Sequence, residues 1–361
     1  MFRQPGTDAV SEVSGPVCDR QAGPPESYSA DLSGLAKRPR PFRFASRVLR
    51  ESKVERGEDL TGLVLHMGLF GKLFKRERSL ADLSKWLEAP QADLSAWRSG
   101  MPGWASGYDY TTFGIPKRSG GVRTIEAPTP KLKALQRAIL HRLLNGLPVH
   151  PAAAGFVPGR SIVDNARPHV GQAVVVNIDL ADFFPSITHP RVEAFFRAIG
   201  WSAEASAVLA NICTRDGHLP QGAPTSPALS NLANRKLDTR LDKLARKFGG
   251  HYTRYADDLT FSFPAYAAGT RKVLAHIRTI IEAEGYRIQM KKKVRVQRAH
   301  QRQTATGLVV NATVNAPRAL RRKLRAMRHH AQTGRLPSSE RARLQGWEAF
   351  LAMIKKQRAG D

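Results

Sequence analysis

Cysteine is scarce in this sequence, and long apolar runs are absent from it. Only Cys18 and Cys213 occur among 361 residues, so the chain has neither a disulfide framework nor the cysteine spacing of a zinc site. No apolar run reaches the roughly 18 residues that a membrane span needs, and no signal peptide opens the chain. We therefore expect a protein of the reducing cytoplasm, without a membrane partner.

Acidic residues are also few. The chain has 30 Asp and Glu against 57 Lys and Arg, which leaves a net charge of +27. This excess is spread through most of the chain, as expected of a protein that lies along a polyanion. Nucleic acid is the leading partner class, and an anionic membrane surface is the weaker alternative. With 42% hydrophobic residues, the chain can hold two or three subdomains around a sizeable shared core.

The first 150 residues combine an irregular leader with short helices. Residues 1–45 mix Pro, Gly, Ser and charges without periodicity, which indicates a flexible basic extension that either touches RNA or is a plain solvated leader. Apolar spacing over residues 46–150 predicts several helices, including one over residues 132–147. Residues 63–74 fit a packed helix with a basic flank better than a membrane-surface helix.

Two strand-like runs within residues 110–125 are joined by a basic, glycine-rich turn and predict a hairpin. Lys117 and Arg123 belong to this hairpin. Lysine offers a point charge and arginine a bidentate fork, so the pair is suited to gripping a triphosphate. A solvated surface hairpin is the structural alternative.

A first carboxylate follows an apolar run. Residues 174–178 are mostly β-branched and are followed by Asp179, as expected of a buried strand that delivers a carboxylate at its end. An unpaired carboxylate is costly to bury, so this one requires a cation or hydrogen-bond donors. The alternative is that Asp179 or Asp182 caps the following helix.

Two more carboxylates are adjacent at a turn. Residues 252–255 and 259–263 predict the strands of a hairpin, and its tip carries Asp257 and Asp258. Neighbours on a regular strand face opposite ways, but at a turn both can approach one cation. Ordinary turn chemistry is the alternative for the pair taken alone.

The rest of the chain predicts a loop, helices and strands. A loop of Pro, Gly and small residues over 219–231 would let backbone approach a substrate closely, although a tight structural turn has the same composition. A helix is expected over 229–244 and another over 273–283. Strands are expected over 286–296 and 304–314.

The last predicted elements are helical and basic. Beyond Pro317, the apolar residues Leu320, Leu324 and Met327 recur at helical spacing. The remaining positions carry the basic residues Arg318, Arg321, Arg322, Lys323, Arg325 and Arg328. Such a helix would pack on a small core and present charge to a duplex, since acidic partners are absent from this run. A last short helix is expected to begin at Gln345.

In their order along the chain, these segments resemble the reverse transcriptase family, and within it the bacterial retron enzymes. The likeness covers about residues 80–355. Residues 255–258, Tyr-Ala-Asp-Asp, resemble the YxDD box, residues 179–184 the first catalytic motif, and residues 219–231 the LPQGxPxSPxLxN loop. With the basic hairpin before them, four ordered motifs form a specific signal, although each alone is weak.

The resemblance implies a nucleotidyl-transfer site that uses two Mg²⁺ ions. In that reading Asp179 and Asp257 bridge the metals, Asp258 supports the site, and the Leu180 carbonyl adds a ligand. Lys292 resembles the lysine that protonates the leaving pyrophosphate, with backbone binding as an equal alternative.

The resemblance also implies a nucleotide pocket for dNTPs. The implied nucleotide-binding residues are Lys117, Arg123, Asp182, Phe183, Phe184 and Gln221. Phe184 falls where the family keeps a bulky side chain under the sugar, and a ring there would clash with a 2′-hydroxyl. Deoxynucleotides are therefore the expected substrates.

Retron features add an RNA-recognition set. Asn165 and His169 match the NAxxH element, and Thr306 and Gly307 match the VTG element, in which this chain has Ala305 instead of Val. The basic helix would contribute Arg321, Arg322 and Arg325.

The implied fold class is α+β, a right-hand polymerase with fingers, an antiparallel-sheet palm and a helical thumb. We expect a flexible extension over residues 1–45, fingers and palm over 46–263 with the palm continuing to about 314, and a basic thumb over 315–361. The expected partners are a structured noncoding RNA, its branched DNA product, dNTPs and a separately encoded effector in anti-phage defence. Alternatives are an intron-like or phage-exclusion reverse transcriptase and a non-catalytic RNA-binding protein.

Overall fold

A computed structural model describes residues 77–99, 107, 109–117, 120–265, 270–289 and 294–358. The predicted extension over residues 1–45, the apolar run at 63–74 and Lys292 lie outside the described residues. In the part of the chain that is described, no helix is both long and apolar enough to cross a membrane.

An antiparallel sheet forms the centre of the structure. Its strands run in the order β4-β5-β3-β6, and β7 pairs with β3 beside β6. The bounds are β3 Val174–Ala181, β4 His251–Tyr255, β5 Asp258–Phe263, β6 Arg287–Ile288 and β7 Arg295–Arg298. Two further pairs, β1 Tyr110–Pro116 with β2 Val122–Pro128 and β8 Thr304–Ala305 with β9 Leu308–Val309, form separate two-stranded sheets. This mixed architecture confirms an α+β fold with an antiparallel sheet.

Helices surround this sheet. Before β3 come α1 Leu80–Leu87, α2 Gln91–Ala96, α3 Pro130–Arg142 and α4 Ile162–Ala166. Between β3 and β4 come α5 His189–Ala198, α6 Ala203–Cys213, α7 Ser226–Ala233 and α8 Arg235–Lys247. After β5 come α9 Thr270–Ala283, α10 Arg318–Gln332 and α11 Ser338–Arg358.

The two faces of the sheet differ because side chains alternate along a strand. On β3, Val174, Val176 and Ile178 enter the main hydrophobic core. Val175, between them, belongs to a second buried cluster on the opposite face, with residues of α4, β8, β9 and α11. Asp179 has the same parity as Val175 and therefore lies on this second face, not in the main core.

Several elements depart from the sequence predictions. The helix expected over 229–244 is two helices, α7 and α8, with Asn234 between them. The side-chain oxygen of Asn234 accepts hydrogen bonds from Arg191 at 2.9 Å and from Tyr286 at 2.6 Å. Of the strand expected over 286–296, the described residues contain β6 and the start of β7, and the single strand expected over 304–314 is instead the two short strands β8 and β9. The last helix is not short and does not begin at Gln345, since α11 starts at Ser338 and has 21 residues.

The helices α10 and α11 pack against each other around a small core of their own. Leu324 and Met327 of α10 meet Leu344 of α11 in this cluster. The run that forms α10 has no acidic residue of its own, as the sequence shows, but Arg328 finds an acidic partner on α11, where Glu348 accepts its hydrogen bond at 2.7 Å. The boundary near residue 315, like the other domain boundaries, stays a prediction.

A fully buried ion pair joins α8 to β4. Arg254 Nε and Nη2 donate to the two carboxylate oxygens of Asp238 at 2.8 and 2.7 Å, and neither side chain is exposed. The Tyr252 hydroxyl donates to the same carboxylate at 2.9 Å. Burial alone would lower the pKa of Arg254, but the Asp238 carboxylate outweighs it and raises the pKa above its ordinary value. Arg254 is thus charged inside the core, with its guanidinium held against the Asp238 carboxylate.

We expect Asp238→Asn to lower the free energy of unfolding by about 3–5 kcal/mol, because it leaves the Arg254 charge buried without its counterion. Glu348→Gln is the matched control: it breaks an equally short but exposed pair with Arg328, for which at most about 1 kcal/mol is expected. Guanidinium denaturation of both variants checks the difference. Equal losses in the two variants would contradict the assigned role of the buried pair.

Candidate active site

The hairpin formed by β4 and β5 brings its two aspartates next to the end of β3. The turn has two residues, Ala256 and Asp257, between paired Tyr255 and Asp258. Ala256 has a φ of +57°, the left-handed region that side chains rarely adopt. Backbone strain of this kind costs about 1–3 kcal/mol and persists only where the surroundings hold it.

Asp179 and Asp258 are direct cross-strand partners. The neighbouring amide of Leu180 donates to the Asp257 carbonyl at 3.0 Å. Leu180 and Asp257 thus occupy a hydrogen-bonded position, so the next pair is of the non-hydrogen-bonded type, with Cα atoms about 4.5 Å apart and both side chains on one face. The register therefore places Asp179 and Asp258 on one face, with Asp257 in the adjoining turn. That the three side chains form one metal site stays a prediction.

The donor set of this corner fits a hard divalent cation. Like charges directly opposite each other on a sheet are destabilising, and a cation between them removes that cost. Within the described ranges, no group of three or more His, Cys, Asp or Glu side chains is close enough to hold a metal ion by itself. Mg²⁺ is usually held by one or two carboxylates, with waters and substrate phosphates as the other ligands, so a cage made of protein alone is not required.

A glycine packs against the strained turn. The amides of Ala154 and Gly155 both approach the Arg254 carbonyl, at 2.8 and 3.4 Å, so this segment extends the open edge of β4. A Cβ on Gly155 would lie 2.6 Å from the Ala256 nitrogen. The Asn231 side chain donates to the Gly155 carbonyl at 2.8 Å. Only glycine therefore allows the segment to press on the turn.

A row of aromatic rings begins beneath the same turn. The guanidinium carbon of Arg254 lies 5.9 Å from the ring centre of Phe183, and Tyr286 stacks on that ring with centres 6.0 Å apart. Phe184 contacts Phe183 at 5.4 Å and Phe156 at 6.0 Å between ring centres. Phe183 is buried and Phe184 half-buried, so Phe183 serves as the base on which the more accessible Phe184 rests.

The other predicted nucleotide-binding residues lie apart from one another. Lys117 and Arg123 are exposed on the β1–β2 hairpin, where Arg123 pairs with Ile115. Gln221 is half-buried in the loop before α7. Asp182 is exposed and lies 3.3 Å from Arg287.

The predicted RNA-recognition residues Asn165 and His169 are in the interior. His169 is fully buried between Ser262 Oγ at 2.7 Å and Thr253 Oγ1 at 2.8 Å. Thr253 donates its hydroxyl proton to the Asn165 carbonyl, so His169 Nε2 must carry a proton and Nδ1 must accept from Ser262. Burial lowers the pKa of His169 to about 3, which keeps the ring neutral. Both side chains are fully buried and so are not exposed for direct contact with RNA. His169 instead joins β4 to β5, and the Asn165 side-chain amide approaches Thr306.

Thr306, another residue predicted to recognise RNA, packs on the segment that contains Asn165. Thr306 has a φ of +46° and donates to the Ile162 carbonyl at 3.3 Å, while the Asn165 amide lies 3.5 Å from its hydroxyl. Gly307 beside it is exposed. On α10, the predicted RNA-binding residues Arg321, Arg322 and Arg325 are all exposed.

Sequence reasoning missed three residues that shape this site. Asp238 was detectable, because it falls on the apolar stripe of α8 with Leu241 and Ala245, where a carboxylate needs a buried partner. Gly155 and Phe156 lie in a stretch whose composition predicts a turn. The composition does not show that Gly155 packs against the distant turn at Ala256.

Comparison with known proteins gives a consistent family. The family model described as reverse transcriptase (RNA-dependent DNA polymerase) matches residues 115–309. The chain is 44% identical over 268 residues to the Retron Mx65 reverse transcriptase of Myxococcus xanthus, which covers 69% of this chain and 62% of that protein. It is 42% identical over 280 residues to the Retron Mx162 enzyme of the same organism, with 68% and 57% covered. It is 40% identical over 237 residues to the Retron Ec86 reverse transcriptase of Escherichia coli, with 64% and 72% covered. The chain thus spans less than two thirds of the length of the two Myxococcus relatives.

We expect Gly155→Ala to reduce DNA synthesis on an RNA template by about tenfold or more, because the new methyl group must push the Ala256 turn and its aspartates away. Gly146→Ala is the matched control, since a Cβ at Gly146 meets nothing within 4 Å. Primer-extension rates are measured beside the thermal unfolding midpoint of each variant. An active Gly155→Ala variant would show that the turn tolerates the displacement.

Proposed function

Because this chain belongs to the bacterial retron-type branch of the reverse transcriptase family, we propose that it copies RNA into DNA from dNTPs. The observation that carries the proposal is the direct pairing of Asp179 with Asp258, beside Asp257 in the turn. Asp258 is exposed and Asp179 and Asp257 are half-buried, so a cation from solvent can reach this corner of the sheet. Cations held by carboxylates suit a reaction in which phosphate charge must be neutralised.

Members of this family generally use divalent metal ions, and the carboxylates fit that chemistry. In the proposed site Asp179 and Asp257 hold two Mg²⁺ ions, with Asp258 and the Leu180 carbonyl in support. When bound, the ions supply activation of the attacking primer hydroxyl and neutralisation of the triphosphate. The turn positions Asp257. Gly155 packs against the turn, and the Arg254 guanidinium donates to the Ala256 carbonyl at 3.3 Å, so both fix the backbone that carries Asp257.

The nucleotide pocket is proposed to lie between the aromatic row and the β1–β2 hairpin. Phe184 rests on Phe183, so its ring is held where a 2′-hydroxyl would clash, which selects dNTPs. Lys117 and Arg123 are exposed on the hairpin and can neutralise the triphosphate as a point charge and a fork. Gln221 contacts the nucleotide from the facing loop.

The template is proposed to be a structured noncoding RNA, and the product a branched, RNA-linked single-stranded DNA. The α10–α11 pair then acts as the thumb, with its arginine-rich face along the RNA–DNA duplex. The exposed Gly307 turn offers a second contact for the RNA. The family resemblance extends the proposal to cytoplasmic anti-phage defence with a separately encoded effector protein.

We expect Asp257→Asn to abolish dNTP incorporation and to leave RNA affinity unchanged, since the substitution removes one metal-binding charge at an unchanged side-chain shape. Asp93→Asn, at an exposed position in α2, is the control and should retain full activity. Primer extension and RNA filter binding measure the two properties. Incorporation by the Asp257→Asn protein at the normal rate would remove that residue from the site, and RNA binding without any incorporation by the unmodified protein would favour the non-catalytic alternative.

The retron assignment has its own test. The chain is expressed with the DNA that flanks its gene, and copurifying nucleic acid is sequenced. Short single-stranded DNA joined 2′-5′ to RNA is the expected product. Active polymerisation without this branched species would point to an intron-like or phage-exclusion enzyme with different priming.

We expect Phe184→Ala to raise the use of ribonucleotides relative to deoxynucleotides by about tenfold or more, because the space under the sugar opens. Phe248→Ala, which truncates an exposed ring after α8, should leave the ratio as it is. The measurement is kcat/KM for matched rNTP and dNTP pairs. An unchanged ratio in Phe184→Ala would show that another residue selects the sugar.

A further inference from the structure

A tight turn directly precedes the Gln221 loop. Asp216 and Gly217 have φ values of +48° and +78°, and Arg215 and His218 exchange backbone hydrogen bonds at 2.8 and 2.9 Å. This is the geometry of a two-residue type I′ turn, for which Asp-Gly is a favoured sequence. The turn places the Arg215 and His218 side chains next to each other, three residues before Gln221.

Both side chains meet the carboxylate of Glu126 on β2. Arg215 Nη1 and His218 Nε2 each lie 3.6 Å from one of its oxygens, and the Glu126 side chain is only 14% exposed. A carboxylate this deeply buried needs compensation by charges and hydrogen-bond donors. The backbone N–H of Gln221 provides one such donor, at 3.3 Å from Glu126 Oε2.

The backbone contact is equally close. The Glu126 amide donates to the Gln221 carbonyl at 2.9 Å, so the two residues bind each other in both directions. Gly222 has a φ of +147°, and a Cβ there would lie 2.5 Å from the Glu126 carbonyl oxygen. Arg215 also donates to Thr112 at 2.8 Å, and Thr112 is the cross-strand partner of Glu126. The loop is thereby joined to both strands of the β1–β2 hairpin.

We propose that Glu126 is a positioning residue for nucleotide binding, which holds Gln221 through its amide and couples the loop to the hairpin that carries Lys117 and Arg123. The inference rests on the proposed function, because it gives Gln221 and the hairpin a common substrate. Glu126 itself touches no nucleotide. Its carboxylate sets the distance between the two parts of the pocket, and Arg215 and His218 keep that carboxylate in place.

The test is steady-state dNTP incorporation by the full chain on an RNA template with a DNA primer. Glu126→Ala removes the acceptor of the Gln221 amide and is expected to raise KM for the dNTP about fivefold while kcat changes less than twofold. Glu126→Gln keeps an acceptor oxygen of the same reach, so a smaller rise is expected. Glu282→Ala, which breaks the exposed pair with Arg278 on α9, should match the unmodified enzyme.

A double variant identifies the route of the effect. If Glu126 acts through Gln221, adding Glu126→Ala to Gln221→Ala raises KM no further than Gln221→Ala does alone. Additive effects, an unchanged KM in Glu126→Ala, or equal losses of kcat in Glu126→Ala and Glu126→Gln would each overturn the proposal. An unmodified enzyme that incorporates no dNTP would instead overturn the proposed function on which the proposal rests.

Discussion

The buried ion pair between Arg254 and Asp238 is the interaction on which the site depends. Arg254 lies two residues before Ala256, the first residue of the strained turn, and its guanidinium reaches α8, the Ala256 carbonyl and the ring of Phe183. A neutral side chain of similar length would fill the space but would not connect three elements. Burial and the neighbouring carboxylate raise the pKa of Tyr252, so its hydroxyl stays protonated and donates to Asp238. The helix α8, the turn and Phe183 are thus all contacted by one charged side chain.

The second face of the sheet is closed at one end and accessible at the other. At the closed end, His169 bridges two strands through Ser262 and Thr253, and Val175 belongs to a cluster shared with α4 and α11. At the other end the same face carries Asp179 and Asp258. Because the far end of these strands is packed, the pairing of Asp179 with Asp258 is supported from within the sheet.

The sequence allowed the aspartates and the central strands to be predicted, because both follow from local patterns. A nearly continuous β-branched run ends at Asp179, and two short runs of strand-forming residues flank Asp257 and Asp258. Both patterns are local in the sequence. The contacts that hold the site could not be predicted in this way. Gly155 matters only because the Ala256 nitrogen lies where its Cβ would be, and the break at Asn234 depends on side chains from two other elements. Such contacts join residues far apart in the chain, and a single sequence does not show which residues meet.

Because a single sequence does not show which residues meet, it also does not show that Asn165 and His169, predicted to recognise RNA, are buried. His169 and Asn165 are polar residues that match a family motif. A motif match does not show whether a polar side chain is exposed to a ligand or is buried and hydrogen-bonded within the protein. Burial decides the matter, since a neutral imidazole with both nitrogens bonded inside the protein has no donor left for a phosphate. The exposed arginines of α10 differ in this respect. Their positive charge lies opposite the apolar stripe of Leu324 and Met327, so the packing that buries the stripe also turns the charge outward. Among the described residues, the outer face of α10 and the turn at Gly307 are therefore the parts of the predicted set that are exposed to the proposed RNA, while His169 joins β4 to β5.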